Sequence, residues 1–218
     1  MSNRENVMAQ RVANAAGRRR VLEVLRATYD REKGWVDDVD AHVPLADFTR
    51  ADMSWFVVSV SGRPAGVLRV LYDPPLADYA KYGFKMVDPR ICVEDFIRRN
   101  RIAEIGRFAV LPQHRGQIMV AAALMREATA ETVARGYTHF VTDVFEDDPH
   151  SPYGFHTRVM GFFPVATHDV GELRCRSRRI TMVLDLRAAY KRLQRRGNWL
   201  FRYLTGSWDA ALHRQMAA

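Results

Sequence analysis

Two places in this 218-residue chain put chemically capable side chains at a spacing that asks for a role. The first is Glu104-Ile105-Gly106-Arg107, within a run over 103–111 whose Ile105, Phe108, Val110 and Leu111 read as a strand. A carboxylate in a closed cleft can have its pKa raised enough to take a proton from an ammonium group, directly or through water. An arginine beside it can hold a substrate carboxylate through a bidentate contact. Three positions apart on a strand, Glu104 and Arg107 point to opposite faces unless a bulge intervenes. An ion pair at a strand edge is the plainer reading. The second place is the turn Pro112-Gln113-His114-Arg115-Gly116, which hands the strand to a buried helix starting at Gln117. Such a turn aims free backbone N–H groups and the positive end of a helix at one spot, and phosphate or pyrophosphate is its natural occupant. An ordinary connection with an exposed arginine is the alternative there.

The elements that must position these groups follow from patterning. The helix after Gln117 is apolar on nearly all sides through Met125, turns amphipathic at Arg126, Glu127, Glu131 and Arg135, and stops at Gly136. Upstream, residues 1–17 read as a loose lead, and Arg18 to Tyr29 as a helix with an apolar stripe and a basic face. The Asp-rich stretch 33–52 reads as an active-site loop or short helices. Residues 55–61 and 65–72 form strands joined by a hairpin turn at Gly62-Arg63-Pro64. The mixed segment 73–100, broken by Pro74-Pro75 and Pro89, is expected to contain a helix or two covering the site. Downstream come strands over 137–145, 162–165 and 178–186, with a short helix within HSPYGFHTRVMGF before the second. This order predicts an α/β layer protein with a mixed, mostly antiparallel sheet flanked by helices over 18–186. Residues 187–218 add basic, aromatic, amphipathic helices split at Gly197 and Gly206.

Composition narrows the function classes. With 48% hydrophobic and 27% charged residues the chain can bury a sizeable core without disulfides or metals. Cys92 and Cys175 are its only cysteines, too few for a disulfide framework and without zinc-ligand spacing, so no metal site is expected. The first twenty residues lack an apolar signal core and no run of about 18 apolar residues exists, which predicts a cytoplasmic protein. The net charge of +8 favours anionic partners. Nucleic acid fits poorly, because the basic residues come without a recognition helix, zinc finger or aromatic sheet motif.

The turn and helix at Arg115-Gly116-Gln117-Ile118-Met119-Val120 resemble the acyl-donor loop of the GNAT N-acyltransferase superfamily, Arg/Gln-x-x-Gly-x-Gly/Ala. Arg115 and Gly116 match, while Ile118 and Val120 stand where the family has small residues that let the backbone close around a CoA pyrophosphate. The resemblance implies donor contacts from Val110, Gln113, Arg115, Gly116 and Gln117. The segment ending in Gly161-Phe162 resembles the late part of the same superfamily, which implies that Tyr153 protonates the departing thiolate; a core aromatic is the plainer reading of Tyr153. Glu104-Ile105-Gly106-Arg107, taken with Arg26, Tyr29, Trp35, Asp40 or Asp47, and Arg69, resembles the pattern of acyl-homoserine-lactone synthases and N-acyl amino acid synthases, with Tyr29 in place of a Phe and Gly106 in place of a Ser. That similarity, over roughly 20–165, implies Glu104 as general base and Arg26, Trp35, Arg69 and Arg107 as substrate contacts.

What this resemblance implies is transfer of a fatty acyl group from the phosphopantetheine thioester of acyl carrier protein to the α-amine of an amino acid or related small amine, by direct attack and with no permanently bound cofactor. An acyl-CoA-dependent enzyme acting on another small amine is the alternative. A catalytically silent domain of the same fold, binding lipid or protein, is a further one. The tail interleaves Arg187, Lys191, Arg192, Arg195, Arg196 and Arg202 with Tyr190, Trp199, Phe201, Tyr203 and Trp208. It can pack on the core, dock on acidic acyl carrier protein, or lie peripherally on an anionic membrane.

Overall fold

A computed structural model describes residues 6–89 and 91–217. Eight strands form one sheet in the order β1-β2-β3-β5-β6-β8-β7-β4, where β1 is Val7–Val12, β2 Met53–Val60, β3 Arg63–Tyr72, β4 Lys85–Met86, β5 Ile102–Val110, β6 His139–Phe145, β7 Phe163–His168 and β8 Arg179–Asp185. Among the described residues only β5 and β6 pair in parallel; the other neighbours are antiparallel. The sheet is therefore mixed and mostly antiparallel, as the element order predicts.

The loose lead expected over 1–17 is corrected by the structure. Val7–Val12 pairs along its whole length with β2, from Val7 opposite Val60 to Val12 opposite Trp55, and α1 (Ala15–Leu25) starts behind an Asn14 cap whose side chain accepts from the Gly17 amide at 2.8 Å. Residues 1–5 of that lead lie outside the described residues. The hairpin turn also sits earlier than expected. Ser61 and Gly62 carry φ of 50° and 84°, the two-residue turn whose twist suits a hairpin, while Arg63 and Pro64 already belong to β3.

Each face of the sheet has its own core. On one, α3 (Ile118–Ala134) lays Val120, Leu124, Met125 and Ala128 against Phe56, Leu68, Ile105 and Phe140. It ends as expected at Gly136, whose φ of 78° is the left-handed conformation that glycine adopts without cost. On the other face, α1 and the segment after it bury Leu22, Leu25 and Val43 against Trp55, Val57 and Val67. The three C-terminal helices α4 (Leu186–Arg196), α5 (Trp199–Thr205) and α6 (Ala210–Ala217) pack onto the α3 side. Their breaks fall where the sequence puts them: Gly197 closes α4 with φ 56°, and Asn198 caps α5 by accepting from the Phe201 amide at 3.1 Å. No helix among the described residues is long and apolar enough to cross a membrane.

Candidate active site

Sheet register explains how Glu104 and Arg107 come to share a face. Val67 pairs with Ala109 and Arg69 with Gly106, so three steps along β5 oppose two along β3. The extra residue is a bulge, and Arg107 absorbs it with φ of 52°, a left-handed conformation uncommon for arginine. Glu104 before the bulge and Arg107 after it then line the same cavity.

Around Glu104 the charges are tightly paired. Arg69 donates from Nη2 to Oε1 at 2.7 Å, and the Tyr79 hydroxyl donates to Oε2 at 2.6 Å. Burial opposes the Arg69 charge, but Glu104 and Glu172 outweigh it and hold its pKa above the ordinary value. Burial, reinforced by the Glu104 carboxylate, pushes the Tyr79 phenol well up, so it stays a donor at any working pH. Arg107 donates to Glu172 at 3.0 Å. Both arginines are 9% exposed, and the Nε of each has no partner among the described residues. An unpaired buried guanidinium N–H is costly, and both guanidiniums border the same cavity, where a carboxylate would find two cations.

Two cavities meet at this strand. β5 and β6 pair only from Ile102 opposite His139 to Ile105 opposite Thr142, and then diverge, with the Thr142 hydroxyl donating to the Ile105 carbonyl at 2.9 Å at the fork. Beyond it the β5 edge has no ladder partner on β6. On one side lies a largely apolar cavity of about 380 Å³, floored by Val141, Val165 and Val183 and roofed by Leu76, Phe84 and Phe96 from the 73–100 segment. That segment covers the site, as expected, through a 3₁₀ turn at Leu76–Tyr82 and α2 (Val93–Arg99). On the other side opens a cleft of about 640 Å³ leading past Phe108, Val110, His114, Arg115, Gly116 and Gln117. Tyr29, Ile105, Gly106, Arg107, Thr142, Asp143 and Phe145 border both. Two π-helical segments, Arg26–Asp30 and Phe155–Met160, flank this region, and such segments are frequent at functional sites.

The structure brings together Glu104, Arg69, Arg107, Val110, Arg115, Gly116 and Gln117, and also Trp35, which lines the open cleft with its ring 4.3 Å from Phe145 and 5.2 Å from Tyr29. Three expected residues are not brought in. Arg26 is exposed and ion-paired with Asp40, bordering neither cavity. Gln113 is exposed on the far side of its turn and lines neither. Tyr153, the expected proton donor, is 38% exposed and lines neither cavity. The crowding expected of the donor loop is also halved: Val120 is fully buried in the α3 core, and only Ile118, 41% exposed, faces the cleft.

Several groups at the site carry no sequence signal. Tyr79 and Glu172 come from segments without regular pattern, and only the chain path brings them to β5. Asp143 sits at the fork with Thr181 donating to it at 2.7 Å and the His168 ring 3.0 Å away; that ring also lies 2.7 Å from the Val170 carbonyl. Lys33 pairs with Asp148 at 2.7 Å while lying over the Trp35 ring, tying the two flanking loops together.

His156 lines the open cleft yet is fully buried, packed among Phe108, Phe155 and Phe162, with neither ring nitrogen partnered among the described residues. Burial pushes its pKa down from 6.5 to about 4. Between those values the unfolded chain binds the proton and the folded chain does not, so stability falls as pH falls through this window. The loss approaches roughly 3 kcal/mol by pH 4 at 1.36 kcal/mol per unit. Thermal unfolding from pH 7 to 4.5 is expected to show a drop in Tm that is much smaller in His156→Phe; equal pH dependence in both proteins would place the acid sensitivity elsewhere.

Comparison with known proteins fits this geometry. Residues 19–162 match the model of the acetyltransferase (GNAT) family. Among solved structures, FeeM, an N-acyl amino acid synthase from uncultured soil microbes, superposes with a TM-score of 0.66 at 14% identity, covering 89% of this chain and 99% of that one. An acetyltransferase of the GNAT family from Streptococcus pneumoniae gives 0.57 at 11% identity over 83% and 99% of the two chains. Aminoglycoside 6'-acetyltransferase type Ii gives 0.56 at 13% over 82% and 97%. These likenesses show a shared fold. A search of the curated proteins finds no match.

Proposed function

The chain belongs to the acetyltransferase (GNAT) family, and on that premise we propose that it moves a fatty acyl group from the phosphopantetheine thioester of acyl carrier protein to the α-amine of an amino acid or close relative. The observation that carries this reading is the pair of buried arginines lining the apolar cavity beside Glu104, Arg69 and Arg107, with Arg107 also bordering the open cleft. A free amino acid offers a carboxylate for those guanidiniums and an amine for the carboxylate of Glu104 beside them. The apolar cavity suits an acyl chain, and the cleft past Arg115 and Gly116 suits the pantetheine arm. The likeness to FeeM, itself an N-acyl amino acid synthase, supports the same reading.

In the reaction the amine nitrogen attacks the thioester carbon, a C–N bond forms and the C–S bond breaks. Glu104 accepts the ammonium proton, directly or through a water. The β5 edge beyond Ile105, which has no ladder partner on β6, can offer N–H groups to the oxyanion as it develops. The sulfur leaves as thiolate, and the second proton that the nitrogen sheds as the amide forms passes through water to that thiolate. Exposed Arg187, Arg195, Arg196 and Arg202 give the C-terminal helices a cationic surface suited to acidic acyl carrier protein or an anionic inner membrane face.

The experiment is transfer from long-chain acyl carrier protein to a mixture of amino acids, read by mass spectrometry, alongside acyl-CoA and the corresponding decarboxylated amines. N-acyl amino acids are expected, with the carboxylate-free amines scarcely acylated. The carrier protein is expected to be preferred, by a margin that shrinks with salt because part of it rests on screened charge. Equal acylation of amines without a carboxylate would overturn the acceptor. Equal or higher kcat/KM with acyl-CoA at low ionic strength would overturn the donor.

A further inference from the structure

Arg115 already has three of its five guanidinium N–H groups engaged. Its Nε donates to the Val110 carbonyl at 3.2 Å, its Nη1 to Glu32 Oε1 at 2.7 Å, and its Nη2 to the second Glu32 oxygen, a forked ion pair at the mouth of the open cleft. Arg115 hydrogen bonding holds the Glu32 carboxyl below its usual range, so it is charged at working pH. Glu32 comes from the turn that follows the π-helical segment, 83 positions away in sequence. Fold rather than local sequence places a carboxylate on this cation. Lys33, which also lines the cleft, is likewise engaged by Asp148. Of the cations that line the cleft, these two each carry an acid, while exposed Arg158 lines it as well.

We propose that Glu32 is a donor-specificity residue, its carboxylate on Arg115 selecting against the diphosphate of CoA and in favour of a phosphopantetheine arm with a single phosphate group. A diphosphate needs Arg115 released and brings more negative charge next to the displaced carboxylate than one phosphate does. Like charges juxtaposed in a partly enclosed site are strongly unfavourable, so discrimination grows with phosphate number. The inference rests on reading the open cleft as the donor site, and it is independent of which amine is acylated.

Binding tests it without turnover. Dissociation constants for CoA and for 4'-phosphopantetheine as its methyl phosphodiester, which carries one negative charge as the carrier-protein arm does, are measured by calorimetry on the wild type, Glu32→Gln, Glu32→Ala and Arg115→Met. The wild type is expected to bind the phosphodiester at least as well as CoA. Both Glu32 variants are expected to shift the ratio of the two constants toward CoA by roughly tenfold, the factor that about 1.4 kcal/mol produces. An unchanged ratio, or one moving away from CoA, overturns the role of Glu32. Arg115→Met is expected to weaken both ligands. If it weakens neither, or the wild type binds neither, phosphate is not held here and the donor reading of the cleft falls with the inference. If Arg115→Met does weaken both while the Glu32 variants keep the wild-type ratio, the donor reading stands and only Glu32 loses its role.

Discussion

Glu104→Gln is expected to lower kcat by roughly 10²–10⁴-fold at neutral pH, the usual contribution of a positioned general base. The substitution keeps shape: the amide oxygen can accept from Arg69, and Tyr79, which donates to the second oxygen at 2.6 Å, can reorient its hydroxyl to accept from the amide. What is lost is the negative charge and the capacity to take a proton. Because both oxygens are already occupied, a purely structural role as the counterion of Arg69 must be separated from a chemical one. Removing one partner of a buried ion pair destabilises by about 3–5 kcal/mol, so Tm is expected to fall too, but a folded protein at working temperature still reports on turnover. Tyr79→Phe serves as the control, since it removes one hydrogen bond and leaves the base. Glu104→Asp is expected to recover part of the rate, whereas a counterion role predicts Asp and Gln to differ in Tm and not in kcat. A folded Gln variant turning over near the wild-type rate would remove Glu104 from the chemistry.

The sequence made the central strand, the long helix and the turn between them legible, because each is a continuous local pattern. Ile105, Phe108, Val110 and Leu111 mark the strand, IMVAAALM marks the buried helix half, and Gly136 ends it. The bulge was foreseeable only as a condition. Alternation says that Glu104 and Arg107 diverge, and it takes the register of β5 against β3 to bring them together. β1 carries no legible pattern because an edge strand buries little: of Val7–Val12 only Ala9 and Val12 are buried, too few to show a period of two. Tyr79, Glu172 and Glu32 were illegible for a different reason. Each acts through a contact between segments 25 to 83 positions apart, and nothing local distinguishes an exposed Glu from one seated on a distant arginine. The surroundings of Tyr153 are illegible in the same way. The π-helical turn at Phe155–Met160 shifts angular position relative to a regular helix, and it is His156, not Tyr153, that this turn buries beside the cleft.

Truncation after Gln194 is expected to abolish cooperative folding of the whole domain. The cut removes α5 and α6, which place Leu200, Leu204 and Met216 at 3–4% exposure in the core shared with α3. Three such aliphatic side chains contribute about 1.5–3 kcal/mol each, so roughly 5–9 kcal/mol is at stake against a total stability of about 5–15 kcal/mol. Aromatic contacts add to it. Tyr190 meets Phe201 at 5.2 Å and stacks on Trp208 at 5.9 Å, and its hydroxyl lies 2.9 Å from His213. Arg126 of α3 lies over the Tyr203 ring, and Gln215 donates to the Val133 carbonyl at 3.0 Å, closing the end of that helix. Loss of these groups exposes α3, which packs against Ile105 of β5. Thermal unfolding followed by circular dichroism decides the matter: a truncated protein melting cooperatively within a few degrees of the full chain would make the tail an appendage. Leu204→Ala gives a graded version, expected to cost about 2–5 kcal/mol. The arginines of the same helices are expected to behave oppositely. Arg195, Arg196 and Arg202 are exposed, so changing them to Gln should leave stability within about 0.5 kcal/mol. Any binding to anionic vesicles or to acyl carrier protein that those variants lose can then be assigned to charge on the surface, with the core beneath it intact.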